Sequence, residues 1–354
     1  MPNDDVDIVD AISDEVETPY TYTITSYGAD YPVDGLVKRI KDGSILVPVF
    51  QRGFVWDWTR ASRFVESLLL GLPVPGIFLA KDSATQKLWV VDGQQRLWTL
   101  QYFYDGVFAG SDRVFALKGV DARFLGVTYK SLTDEDRRRL DDAIIHATII
   151  RQDEPSEDES SIYKVFERLN TGGVQLTAQE IRSCIYEGPF RELLRELNEN
   201  PAWRQIFGPP HKSQRDQELI LRFLALHFEG DKYTQPMKGF LNSFMGRNRF
   251  LNKYPAKDMA EAFNSAIEKS LECLGEQAFR RQKPLNAAVF DSVLIGIAGR
   301  LQKGPITDCA SLLNQYSQLL EANDFIAATE TGTSAEQSVK RRIEMASKAF
   351  ASVK

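Results

Sequence analysis

LWVVDGQQRLWTLQ, residues 88–101, decides how this chain is read. Four apolar residues, Leu88 to Val91, suit a buried strand. From Gly93 to Tyr104 the spacing of Leu97, Leu100, Gln101 and Tyr104 suits a helix. Asp92-Gly93-Gln94-Gln95-Arg96 is therefore a strand-to-helix turn. Such a turn presents free backbone N–H groups and the positive end of the helix dipole, which together suit an anion such as phosphate. Gly93 lets a ligand approach the backbone, Arg96 supplies a bidentate donor, the glutamine side chains donate or accept, and Asp92 can hold magnesium or orient water. A second reading needs no ligand: Asp92 as N-cap and Gln95 at N3 make a capping box. That reading leaves Gly93 and the cation at a positive helix end unexplained.

Outward from this turn, the chain alternates strand and helix patterns between residues 20 and 155. TYTITSY (21–27), ILVPVF (45–50), GIFLA (76–80), KLWVV (87–91), VFALKG (114–119) and AIIHATIIRQ (143–152) read as extended. Val33, Leu36, Val37 and Ile40 mark a helical face that ends at Gly43. Asp57 caps a helix that Gly71 stops, and Thr133 caps another. QDEPSEDESS (152–161) is an acidic bridge, and beyond it nearly every segment is helical with no credible strand. TAQE is a capping box with Thr177 at N-cap and Glu180 at N3, and QELILRFLALHF (217–228) is apolar enough to be a central buried helix. The expected domains are an acidic disordered tail at 1–18, an α/β domain at 19–155 and an all-α domain at 156–354.

Three further clusters carry chemistry-bearing residues. In VPVFQRGFVWDWTR (47–60), Gln51 and Arg52 follow an extended piece, and Phe54 and Trp56 offer faces for bases to stack on or, alternatively, cover the sheet as core. In FERLNTGGVQLTAQE (166–180), Asn170, Thr171, Gly172 and Gly173 form a tight turn. It either ends a helix or lays amides against a ligand. Glu218 and Arg222, at i and i+4, read as an ion pair within one buried helix.

Composition bounds the possibilities. The chain has 354 residues, 43% hydrophobic and 26% charged, enough for two ordinary globular domains. Its formal charge is -6, yet nine acids precede the first base, Lys38. The remaining 40 acids face 43 bases, so residues 38–354 carry +3 and a phosphate-bearing partner is compatible with the body. His146, His211 and His227 lack ligand-spaced partners, which argues against zinc hydrolase, His-Asn-His nuclease and Ser-His-Asp chemistry. Cys184, Cys273 and Cys309 are expected to be buried thiols. With no signal peptide and no long apolar run, a cytoplasmic protein without membrane contact is expected.

VPVFQRGFVWD (47–57), GLPVPGIFL (71–79), VVDGQQRLWTL (90–100) and VFERLNTGGVQLTAQEIR (165–182), in that order, closely resemble the N-terminal domain of GmrSD-type modification-dependent restriction endonucleases, of the ParB/sulfiredoxin-like group. RDQELILRFLALHF (215–228) and SVKRRIEMASKAF (338–350) resemble its helical continuation. The resemblance implies a nucleotide-handling module in defence against phage or modified DNA, with the DGQQR motif serving NTP binding and hydrolysis. Carried over, catalysis falls on Asp92, Gln95 and Arg96, with Asp92 also at a magnesium ion. Nucleotide contacts fall on Gln51, Arg52, Gly93, Gln94, Asn170, Thr171, Gly172 and Gly173. Many relatives carry a His-Asn-His nuclease domain that these histidines do not supply, so a separate nuclease subunit is the expected partner. The alternatives are a DNA-binding, modification-sensing or nicking module, with Phe54 and Trp56 at the DNA, and a non-enzymatic scaffold. An oligomer is compatible with all of them.

Overall fold

The structure is a computed structural model that describes residues 8–9, 23–47, 54–109, 111–154, 160–169, 176–280 and 284–354. The chain divides into two compact units, residues 21–176 and residues 177–354, the latter with residues 1–20. A short strand, β1 (Ile8–Val9), belongs to the second unit.

The first unit runs β2 (Thr23–Pro32), α1 (Val33–Lys41), β3 (Ile45–Leu46), α2 (Trp58–Leu69), β4 (Ile77–Lys81), β5 (Leu88–Asp92), α3 (Gln94–Asp105), α4 (Asp134–Asp141), β6 (Ile144–Glu154) and α5 (Ser160–Leu169). The five strands form one mixed sheet in the order β2-β6-β4-β5-β3. β2 is antiparallel to β6 and β4 to β5, while β4 and β6, and β3 and β5, are parallel. Alternate residues Ile77 and Leu79, Leu88 and Val90, and Ile145, Ala147 and Ile149 share one face. They meet Leu36, Val65, Leu97, Leu100, Phe103 and Leu140 of α1 to α4 in a single apolar core. Each of these large side chains contributes roughly 1.5–3 kcal/mol by leaving water. α5 contacts β5 and β6 and buries Ile162, Tyr163 and Phe166.

The caps follow the sequence. Asp57 accepts from the Arg60 amide at 2.7 Å, and Thr133 accepts from the Asp136 amide at 3.1 Å. Tyr104 at the end of α3 donates to Asp141 of α4 at 2.5 Å; burial, aided by that carboxylate, pushes its hydroxyl pKa far above the ordinary value.

The second unit contains α6 (Ala178–Ile185), α7 (Pro189–Asn198), α8 (Pro201–Phe207), α9 (Arg215–Glu229), α10 (Met237–Asn248), α11 (Ala256–Leu274), β7 (Leu285–Asn286), α12 (Ala287–Leu301), α13 (Cys309–Glu321), α14 (Asn323–Glu330) and α15 (Glu336–Phe350). Every residue of α12 from Ala287 to Ala298 is buried, and α9 buries Leu219 to Leu226 without a break, as its composition requires. Gly296 lets α15 approach α12: a Cβ there would lie 2.9 Å from the Phe350 ring and 3.0 Å from the Ala346 backbone. The Thr177–Glu180 capping box at α6 forms as the sequence indicates.

Five expectations change. The α/β unit extends past residue 155 to 176, because α5 packs on the sheet. Within the expected tail, Ile8–Val9 pairs parallel with β7, a short strand in a region read as helical throughout. VFALKG contains no strand beyond a single bridge between Val107 and Val114. Cys273 and Cys309 form a disulfide, with Cα atoms 4.7 Å apart, and Cys184 is the buried thiol. Glu218 pairs with Arg182 at 2.9 Å and Arg222 with Asp291 at 2.6 Å, so both charges are satisfied by other helices rather than by each other.

Candidate functional site

β5 ends at Asp92, whose backbone pairs with Phe78 of β4, and α3 begins two residues later. Gly93 between them is the N-cap, in the left-handed region at φ 102°. No other residue fits this position comfortably. A Cβ there would stand 2.5 Å from Ile77 Cγ2 and 3.3 Å from an Arg96 guanidinium nitrogen. Glycine is thus required twice, by conformation and by the close approach of β4.

With Gly93 as N-cap, no side chain caps α3, and the capping box expected of Asp92 and Gln95 does not form. The N–H groups of the first helical turn have no intrahelical acceptors, and Gly93, which precedes them, is itself buried. Asp92 Oδ2 instead accepts from Arg96 at 2.6 Å, a pair with the carboxylate side chain 51% exposed and the arginine side chain 13% exposed. This explains why a cation sits in the first turn of a helix: the carboxylate one turn back neutralises it. In such a half-open place the pair contributes about 0–1 kcal/mol. Their i,i+4 spacing was the sequence signal for it.

The rest of the turn is polar and incompletely satisfied. Among the described residues, Arg96 Nε and Gln94 Oε1 are buried without hydrogen-bond partners, as is Trp89 Nε1 on β5. Asp92 Oδ1 has no partner among the described residues. Gln95 is engaged differently. Its Oε1 accepts from the backbone amides of Val55 at 2.9 Å and Trp56 at 3.2 Å, which ties residues 55–56 to the start of α3. These contacts, 39 and 40 residues apart, had no local sequence signal.

Phe54 and Trp56 pack inward. Phe54 meets Tyr102 and Phe108 edge-on at 5.2 and 5.5 Å, and Trp56 meets Phe64 at 5.7 Å. Both lean on the core of the sheet unit, and the Arg60 guanidinium lies 4.9 Å from the Trp56 ring. The structure therefore brings Asp92, Gly93, Gln94, Gln95, Arg96 and the Phe54–Trp56 segment together. Gln51, Arg52, Asn170, Thr171, Gly172 and Gly173 lie outside the described residues.

Residues 33–187 match the family model described as GmrSD restriction endonuclease, N-terminal domain. This region is a GmrSD-type N-terminal domain. It starts with α1, includes β3 to β6, and runs through α6, so the DGQQR turn falls well inside it. No curated protein matches the chain.

Elsewhere in the chain, chemistry-bearing residues have structural partners. His146 of the GmrSD-type domain faces Asp30 across β2 and β6 at 2.8 Å. His227 stacks on Phe223 and lines a pocket of about 390 Å³ with Asp258, Glu261 and Gln302 in the helical unit. Among the described residues, the one group with metal-ligand geometry is Glu272, Cys273 and Cys309, and the two cysteines are already joined. No helix among the described residues is long and apolar enough to cross a membrane.

Proposed function

We propose that the GmrSD-type domain serves a restriction system as a nucleotide-binding, NTP-hydrolysing module, with the phosphates at the start of α3. The observation that carries this reading is the uncapped, left-handed Gly93 N-cap beside Arg96, whose Nε is buried without a partner among the described residues. A buried donor without an acceptor costs about 1–3 kcal/mol, and a phosphate oxygen would relieve that cost. The amides following Gly93 bind phosphate, and Arg96 Nε donates to it. Gln51, Arg52 and the Asn170–Gly173 turn are assigned to the same ligand by the family resemblance.

Magnesium fits this donor set in a limited way. Asp92 offers one free carboxylate oxygen in a half-exposed position, and magnesium is commonly held by one or two carboxylates together with the substrate's phosphates. Bound there, the ion would neutralise charge developing on the phosphates, while Asp92 would divide its two oxygens between the metal and Arg96. The DNA cut is assigned to a separate nuclease subunit, since His146, His211 and His227 lack the spacing of a His-Asn-His nuclease.

The test is phosphate release from each of the four NTPs with magnesium, by the wild type, Asp92→Ala and Arg96→Ala. Losing one charge-assisted bond of about 1.5–3 kcal/mol lowers the rate roughly 10–100-fold. Equal rates in all three proteins would overturn the assignment.

A further inference from the structure

The end of α11 and the start of α13 bring together three ligand-type side chains that the phosphate reading does not use. Glu272 and Cys273 lie in the last turn of α11, and Cys309 is the first residue of α13. Their ligand atoms all lie within 4.8 Å of one another. Cys273 is buried, Cys309 half-buried and Glu272 exposed, so the group opens to solvent through the carboxylate.

The disulfide alone does not account for that carboxylate. Glu272 Oε1 stands 3.7 Å from Cys309 Sγ, and a disulfide sulfur carries no hydrogen to donate. Two electron-rich atoms therefore face each other with no proton between them. Oε2 of the same carboxylate accepts from Lys269 Nζ at 2.6 Å, which holds Oε1 on the side of the sulfurs. With the sulfurs reduced, the three groups are a donor set of two thiolates and one carboxylate. In a tetrahedral zinc site such atoms stand roughly 3.5–3.8 Å apart, within reach of small side-chain rotations from the positions seen. Helix position favours an anionic sulfur at Cys309, the first residue of α13. The three anionic ligands exceed a divalent ion by one negative charge, and Lys269 offsets it.

We propose that Glu272, Cys273 and Cys309 form a site for a zinc-class divalent ion that is the alternative to the disulfide. A dithiol reductant delivers two electrons and two protons, the sulfur–sulfur bond breaks, and the reductant leaves as its own disulfide. The ion then displaces both thiol protons and binds the two thiolates and Glu272 Oε1, with water in the fourth position. The junction of α11 and α13 is closed by a sulfur–sulfur bond in one state and by a metal in the other. This inference is independent of the nucleotide reading.

The test uses the full chain, oxidised and, in parallel, reduced with a phosphine under anaerobic conditions. Zinc affinity is read by competition with a chromophoric chelator, and thiolate ligation by the sulfur-to-metal absorption of added cobalt(II). Glu272→Gln and Cys309→Ser are measured beside the wild type, and urea unfolding is followed with and without zinc.

The reduced wild type should bind a single equivalent of zinc and release about two protons, while the oxidised chain binds none at that affinity. Glu272→Gln should bind at least about tenfold more weakly, and Cys309→Ser should lose the cobalt absorption. Zinc should raise the urea midpoint of the reduced wild type and leave that of Cys309→Ser unmoved. Equal zinc affinity in the oxidised and reduced chains, or affinity within about twofold of wild type in either variant, would overturn the inference. So would a reduced wild type whose urea midpoint zinc does not change.

Discussion

Asp291 and Asp92 each meet an arginine at 2.6 Å, and the two places could hardly differ more. Asp291, on the buried helix α12, is fully enclosed and sits between Arg222 of α9 and Arg342 of α15. Desolvation by burial lowers the Arg342 pKa, and Asp291 opposes that shift. Asp92, at the end of β5, is half-exposed and shares one arginine, with a helix terminus beside it that no side chain caps. In the helical unit the charges lock three helices to one another. At the DGQQR turn the same chemistry leaves a half-exposed carboxylate oxygen and a buried guanidinium nitrogen without partners among the described residues, at a helix start that no side chain caps. Enclosure separates the structural ion pair from the one proposed to take a ligand.

The largest expected effect breaks the enclosed pair. Asp291→Ala strands two buried guanidinium groups and should cost about 3–5 kcal/mol in urea unfolding, whereas Asp92→Ala should cost under about 1 kcal/mol. Similar losses at the two positions would erase the contrast. Gly93→Ala comes next. It imposes a left-handed backbone on a residue with a Cβ and drives that atom into Ile77, for a loss on the order of 3 kcal/mol in the same assay. A neutral result would mean that the turn is looser than its packing implies.

A smaller effect appears with pH. Burial lowers the His227 pKa below its ordinary 6.5. The unfolded chain thus takes up a proton as the pH falls below about 6.5 while the native helix resists, so stability present above that pH declines toward the lower native pKa. The urea midpoint of the wild type should fall more steeply over this window than that of His227→Phe. Parallel curves would show that His227 protonates without strain.

Much of the sheet unit was legible because its signals are local. Alternation in IFLAK and the apolar run LWVV mark β4 and β5, Asp57 and Thr133 cap their helices, and Gly43 and Gly71 turn left-handed just after α1 and α2. VFALKG alternates equally well, burying Phe115 and Leu117, yet it finds no strand beside it. Its backbone is satisfied elsewhere: Ala116 accepts from the Trp58 indole, Lys118 donates to Ser62, and Leu117 bonds across to Gly126 and Val127. Hydrophobic period alone could not distinguish that loop from a strand.

At the site, the turn and the need for Gly93 were legible, but the roles of its neighbours were not. Asp92 and Gln95 have the spacing of a capping box. The left-handed Gly93 takes the cap position, which releases Asp92 to Arg96 and Gln95 to the amides of Val55 and Trp56. The disulfide between Cys273 and Cys309 and the true partners of Glu218 and Arg222 were hidden for the same reason. Each joins residues far apart in the chain, where spacing carries no information.

The central claim is that the uncapped turn at Gly93 takes a nucleotide's phosphates, and the most direct test is a crystal structure with a non-hydrolysable NTP and magnesium. Phosphate oxygens within about 2.7–3.1 Å of the amides that follow Gly93, with Arg96 Nε on the same group, are the predicted result. Nucleotide bound elsewhere on the chain, or a vacant turn at saturating nucleotide, would contradict it.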